Sequence, residues 1–123
     1  MLRDRPPELR PRFNAEAERL CISTVVLTEL LVGAGKSARP TETRREVDRF
    51  AARLEVLPFD AAAAEHAADI RATLERQGQG IGAYDVLIAG HARSRGLIVV
   101  TANLREFRRV DGLRYEDWLS PAP

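Results

Sequence analysis

The sequence predicts an α/β fold with a mostly parallel sheet flanked by helices. Apolar strand candidates alternate along the chain with amphipathic helices, which is the pattern of domains whose parallel strands are joined by helical crossovers. Residues 97–100 form a continuous apolar run, which is typical of a central strand buried on both faces. With 123 residues, of which 45% are hydrophobic, the chain is predicted to form a single domain over residues 1–123.

Helix caps and apolar spacing divide the first half of the chain into elements. Ser and Thr cap helices because their side chains accept hydrogen bonds from free backbone N–H groups, and Gly commonly ends helices. Apolar residues three and four positions apart mark the buried side of a helix. In order, we predict a helix over residues 7–19, a strand over residues 20–23, a helix from Ser23 or Thr24 to about Gly33, a helix beginning at Pro40 and a strand over residues 56–59.

The second half of the chain shows the same signals. Asp60 has the position of an N-cap before a long Ala-rich helix, for which Gly78 is the natural stop. Another helix is predicted from about residue 83 to residue 95, with Gly96 closing it. The remaining predicted elements are the apolar strand over residues 97–100, a short helix through Phe107 and a last strand near residues 113–115.

Charge and composition narrow the class of protein. The 19 Lys and Arg residues nearly balance the 18 acidic residues, so the net charge alone gives no argument for nucleic-acid binding. The single cysteine, Cys21, cannot form an internal disulfide, and the sequence shows neither a membrane span of roughly 20 apolar residues nor a signal peptide. We therefore expect a cytoplasmic protein without membrane contact. Its arginines are unevenly placed and form a local basic cluster at Arg93, Arg95, Arg105, Arg108 and Arg109.

Glu29 is the first candidate for chemistry. Val25 and Val26 precede it and Val32 follows it at helical spacing, and a carboxylate on such an apolar side is costly to bury unless it is paired or binds a cation. A partly exposed Glu on a helix with a wide apolar face explains the same pattern. The residues alone leave both interpretations open.

Asp85 and Asn103 are the other two candidates. If Gly82 caps the following helix, Asp85 is its third residue, where free N–H groups and the helix dipole stabilise a carboxylate. Asp85 also lies along an apolar side, which favours a site. Asn103 and Thr101 directly follow the apolar strand, at the end where ligands gather in parallel α/β folds. Small polar residues at such a place are equally typical of a turn.

Together, these side chains predict a metal site of oxygen ligands. Glu29, Asp85 and Asn103 can converge at one edge of the sheet, and carboxylate and amide oxygens suit Mg²⁺ or Mn²⁺ rather than zinc. Two carboxylates and an amide are few for metal-assisted phosphodiester chemistry, so a further carboxylate is expected. The two histidines, His66 and His91, have no carboxylate or thiolate at ligand spacing, and we expect surface or core positions for both.

Three segments of the sequence resemble motifs of the PIN-domain family. Glu29-Leu30-Leu31-Val32-Gly33 matches the element E-L-x-x-G, residues 81–92 match I-G-x-x-D-x-x-I-A-x-H-A, and residues 101–107 match T-x-N-x-x-x-F. The segments occur in order and with ordinary spacings over nearly the whole chain. Within the family, the chain resembles VapC-type toxins of toxin–antitoxin systems, and among these the subgroup that cleaves initiator tRNA.

The resemblance implies a three-layer PIN fold and an Mg²⁺- or Mn²⁺-dependent endoribonuclease that a VapB-type antitoxin holds inactive. It implies that Glu29 and Asp85 bind the metal, that Asn103 is a neutral ligand or supports one, and that Thr101 is the hydroxyl beside it. It also implies an RNA substrate, with tRNA as the nearest match, and a homodimer. On this basis the arginine cluster is expected to contact RNA phosphates.

The sequence departs from the family pattern at its start. VapC-type PIN domains begin with a central strand that ends in an aspartate, typically as D-T-N, and nothing in residues 1–19 corresponds to it. We therefore expect the first strand and one metal-site aspartate to be absent from these 123 residues, and nuclease activity to be impaired. The alternative is a catalytically dead PIN-domain remnant that only binds an antitoxin or another protein partner.

Overall fold

The computed structural model describes residues 20–117, which divide into two compact units at Pro58 and Phe59. The predictions of a helix over residues 7–19 and of a missing first strand lie outside the described residues. The first unit contains β1 (Cys21–Ser23), α1 (Thr24–Gly35), α2 (Pro40–Ala52) and β2 (Glu55–Leu57), and the second contains α3 (Ala61–Arg76), α4 (Ala83–Arg95), β3 (Ile98–Val100), α5 (Leu104–Phe107) and β4 (Arg114–Glu116). The predicted α/β class with parallel strands is confirmed.

In the first unit, β1 pairs with β2 in parallel, with Ile22 opposite Val56. The helices α1 and α2 connect these two strands, as expected for a parallel pair. Ser23 ends β1 and caps α1, because its Oγ accepts a hydrogen bond from the backbone N–H of Val25 at 3.1 Å, which confirms the predicted cap. The helix continues past the predicted stop at Gly33, since that glycine does not adopt the left-handed conformation of a terminal glycine.

In the second unit, β3 pairs with β4 in parallel, and α3 packs along α4. Two of the predicted ends of these helices are confirmed by their caps: Asp60 accepts a hydrogen bond from the N–H of Ala63 at 2.9 Å, and Gly96 ends α4 with a φ of 66°. The prediction that the apolar run is buried on both faces is wrong at Ile98, which is 41% exposed. This residue stands at the start of β3, where its partner in register is the exposed Arg114.

The two long helices of the second unit approach each other most closely at Gly90. This residue is buried, and a Cβ atom added to it would lie 2.5 Å from the backbone nitrogen of Ala67 and 2.6 Å from its Cα. Such distances are shorter than any tolerated carbon contact, so the absence of a side chain sets the separation of the helices. Gly90 therefore has a packing role in the sequence motif that also carries Asp85.

Arg93 connects three parts of the second unit. From α4 it donates to His66 Nδ1 at 2.9 Å and to Asp69 Oδ2 at 2.7 Å, both on α3, and to the carbonyl of Asp111 at 3.1 Å. Its side chain is only 17% exposed. The expectation that Arg93 contacts RNA phosphates is therefore wrong, because its guanidinium is committed to holding α3, α4 and the turn before β4 together.

His91 is a core residue of the second unit. The sequence predicted either a surface or a core position for it. Its side chain is 3% exposed, and its ring packs edge-on against Phe59 with 5.6 Å between centroids. Burial lowers the pKa of His91, Asp60 opposes this effect and Arg95 adds to it. The folded protein therefore holds this imidazole neutral at a pH where an exposed histidine begins to take up a proton.

We expect the stability of the protein to fall as the pH drops below the ordinary histidine pKa of about 6.5. In that range the unfolded chain binds a proton at His91 and the folded chain does not, so the stabilisation present above this pH is progressively lost. Thermal melts between pH 7.5 and pH 5.5 measure the loss. His91→Gln should show a smaller pH dependence, and a variant with the full wild-type dependence would contradict the assignment.

Candidate active site

Asp85 lies in the first turn of α4, at the third helical position that the sequence predicts. Gly82 is the N-cap of this helix, and the Asp85 side chain is 4% exposed. The helix dipole and nearby N–H groups favour a carboxylate at this position. Burial to this degree exceeds what a capping role requires, because a carboxylate at a helix terminus is ordinarily left in contact with water. The neighbouring polar side chains therefore decide what Asp85 does.

Asn103 brings a second segment to Asp85. It follows β3, and its Nδ2 donates to Asp85 Oδ2 at 3.3 Å. Thr101 fixes the local backbone, because its Oγ1 accepts a hydrogen bond from the N–H of Asn103 at 2.9 Å. The side chain of Thr101 thus stabilises the local turn, a role that the sequence left open for Asn103. The side-chain amide of Asn103 instead binds the Asp85 carboxylate. The structure brings Asp85, Asn103 and Thr101 together in the second unit.

Glu106 is a member of this site that the sequence analysis missed. It is the third residue of α5, and its Oε2 accepts hydrogen bonds from Asn103 Nδ2 at 3.2 Å and from the backbone N–H of Gly82 at 3.4 Å. An Asn followed three residues later by Glu resembles a capping box, in which the Glu would bind the N–H of its own N-cap. Here Glu106 instead reaches the N-terminus of α4, so a capping pattern concealed a site residue.

The carboxyl groups of Asp85 and Glu106 act on each other directly. A hydrogen bond from the Asp85 carboxyl lowers the pKa of Glu106, burial opposes this, and the N–H groups of Gly82 and Asn103 together with the charge of Arg109 lower it further. Asp85 and Glu106 are therefore close enough for the charge of each to depend on the other.

Glu29 lies in α1 of the first unit and is partly buried. The other three predicted site residues belong to the second unit. The metal-binding role of Glu29 stays a prediction, and it follows from the sequence motif.

The second unit supplies ligands that fit a hard divalent cation. Asp85 and Glu106 offer carboxylate oxygens, and the Asn103 amide, which now donates to both carboxylates, adds a polar group between them. Mg²⁺ is commonly held by one or two carboxylates, with water and substrate phosphate completing its shell. Within residues 20–117, no group of three or more His, Cys, Asp or Glu side chains is arranged to hold a metal. Asp85 and Glu106 supply two carboxylates, the number that such a Mg²⁺ site uses.

Comparison with known proteins places this chain in a family. The family model described as PIN domain matches residues 1–113. The tRNA(fMet)-specific endonuclease VapC of Shigella flexneri is 52% identical over 117 residues, which cover 95% of this chain and 89% of that protein. The structure of DNA-bound VapBC from Salmonella typhimurium matches with a TM-score of 0.87 and 53% identity, covering 92% of this chain and 86% of that one. VapBC2 from Rickettsia felis, bound to a promoter DNA fragment, matches with a TM-score of 0.86 and 34% identity, covering 92% and 86%.

The chain therefore belongs to the PIN-domain family, among its VapC-type members. This confirms the resemblance inferred from the three sequence motifs. None of the helices in the part of the chain that the structure describes has the length and apolar character needed to cross a membrane.

Proposed function

We propose that this protein is a divalent-metal-dependent endoribonuclease toxin of a VapBC-type toxin–antitoxin system, with tRNA as its substrate. The observation that carries the proposal is the acid pair of the buried Asp85 and the half-buried Glu106, which share the amide of Asn103 at 3.3 and 3.2 Å. The name of the Shigella flexneri relative, a tRNA(fMet)-specific endonuclease, supports the substrate class. A VapC-type member at 52% identity supports the toxin assignment.

The proposed cation is Mg²⁺ or Mn²⁺, held by Asp85 and Glu106. When bound, it supplies positive charge that makes the phosphodiester easier to attack. Asn103 keeps the two carboxylates at a fixed separation, and Thr101 holds the backbone of Asn103 in place. We assign Glu29 to metal binding as well, and this assignment depends on the family motif alone.

The proposed partner is a VapB-type antitoxin, since the matching solved structures are VapBC complexes. We further propose that the protein works in the cytoplasm, where tRNA is found. We also propose that the toxin is a homodimer and that residues 1–123 form one PIN domain. The family model supports a single domain, because its match runs across both compact units.

Cleavage of a 5′-labelled tRNA by the purified protein tests the proposal. We expect cleavage at one site with Mg²⁺ or Mn²⁺, at the reduced rate that the sequence predicts, none with EDTA, and inhibition by a VapB-type antitoxin. Asp48→Asn is the matched control for Asp85→Asn, because it removes an exposed carboxylate that forms a surface ion pair with Arg44. Antitoxin binding without metal-dependent cleavage would instead indicate a catalytically dead PIN domain that retains its partner.

A further inference from the structure

Arg109 follows Glu106 by three residues and is anchored to the loop that precedes α4. Its Nη1 donates to the carbonyl of Gly80 at 3.2 Å. Two residues further along the same loop, the N–H of Gly82 donates to Glu106 at 3.4 Å. Arg109 and Glu106 therefore hold two points of one loop, and the Arg109 guanidinium is anchored to the same loop that contacts Glu106.

The geometry at Gly82 shows how close the loop and the acid pair are. A Cβ atom added to Gly82 would lie 3.5 Å from Asp85 Oδ2 and 3.7 Å from Glu106 Oε2. The backbone of the loop thus packs directly on both carboxylates.

Most of the hydrogen-bonding capacity of Arg109 is available to a ligand. A guanidinium has five N–H donors, and the contact with Gly80 is its single hydrogen bond to the described residues. Arg93 differs, because its Nε, Nη1 and Nη2 atoms all bind protein groups. Arg109 is half-buried, so binding a ligand orders little additional side-chain motion.

We propose that Arg109 binds the RNA phosphate that is presented to the Asp85–Glu106 pair. The inference rests on the proposed function and assigns a substrate contact within the same site. An acid pair repels a phosphodiester, and a fixed guanidinium beside it offsets this repulsion while its planar donors match phosphate oxygens. The anchor at Gly80 presents the guanidinium in one orientation before RNA arrives.

Three variants in the full-length protein test this role: Arg109→Ala, Arg109→Lys and, as a control, Arg71→Ala. Arg71 is an exposed residue of α3 that pairs with Glu75 and has no place in the site. tRNA binding is measured in EDTA over a range of KCl concentrations, and single-turnover cleavage is measured with Mn²⁺. Metal affinity and thermal stability are measured alongside.

We expect Arg109→Ala to weaken tRNA binding about tenfold, to reduce the slope of log affinity against log salt by about 1, and to lower the single-turnover cleavage rate at subsaturating protein by about 10- to 100-fold. Arg109→Lys should recover the salt slope, because it keeps the charge, but recover cleavage only in part. Arg71→Ala should match the wild type in all measurements.

Wild-type RNA affinity and salt slope in Arg109→Ala, with a loss only of metal affinity or stability, would overturn the proposal and leave Arg109 as an anchor of the loop. Equal cleavage by Arg109→Ala and wild type would overturn it as well. A wild-type protein that neither binds nor cleaves tRNA would instead overturn the proposed function, so the two failures are distinguishable.

Discussion

Asp85→Asn is expected to abolish metal-dependent RNA cleavage while leaving the thermal stability of the protein unchanged or slightly raised. The carboxylate is 4% exposed and shares a hydrogen bond with Glu106, so it supplies charge that an amide cannot give to a cation. Metal-ion catalysis contributes several kcal/mol, which corresponds to a loss of roughly 100-fold or more in rate. Stability is preserved because the amide of the new Asn can donate a hydrogen bond to Glu106 in place of the Asp85 carboxyl, and its oxygen can still accept from Asn103.

Single-turnover cleavage with Mn²⁺ measures the effect on activity. Thermal melts made without metal measure the effect on stability. Glu106→Gln should behave in the same way, because it removes the other carboxylate and keeps a group that can accept from Gly82. A large fall in melting temperature for Asp85→Asn would show that the residue acts mainly by stabilising the N-terminus of α4. Retained metal-dependent cleavage in either variant would contradict its role as a metal ligand.

Gly90→Ala, which adds one methyl group between α3 and α4, is expected to lower the free energy of unfolding. The new Cβ would lie 2.5 Å from the nitrogen of Ala67, which is backbone and cannot rotate away, so α3 and α4 must separate. Overpacking of this kind costs about 1–3 kcal/mol and occasionally more. Helix propensity favours Ala over Gly by up to about 1 kcal/mol, which offsets only part of the cost.

Gly33→Ala is the matched control for this prediction. Gly33 also lies in a helix, α1, but a Cβ atom added there would have no described atom within 4 Å. The same change should therefore raise stability by up to about 1 kcal/mol through helix propensity and reduced freedom of the unfolded chain. Urea unfolding of both variants checks the opposite signs. Equal effects at the two positions would mean that packing against Ala67 does not determine the role of Gly90.

The features that the sequence predicted well are those that depend on neighbouring residues. Ser23 and Asp60 cap helices through residues two and three positions away, and Gly96 ends α4 by its own conformation. Such interactions have the same form in most proteins, so spacing alone reveals them. Asp85 was placed correctly for this reason, as the third residue of a helix whose start could be located.

The features that the sequence did not reveal depend on contacts between distant segments. Glu106 binds Gly82 across 24 positions, and its local pattern indicated a helix cap. Arg93 appeared to belong to a basic cluster because arginines lie near it in the chain, but its partners His66 and Asp69 lie on another helix. The fold, which no local pattern encodes, places Glu106 in the site. It gives Arg93 the different role of holding α3 and α4 together.

The close contact between Ala67 and Gly90 also restricts how the gene can change over evolutionary time. No side chain fits at position 90 while α3 and α4 keep their separation, and the Ala67 side chain itself would lie 2.6 Å from such an addition. The atoms of Ala67 that block position 90 include its backbone nitrogen and Cα, so no replacement at position 67 makes room for a side chain there. Related genes should therefore encode glycine at position 90 wherever the two helices keep this separation.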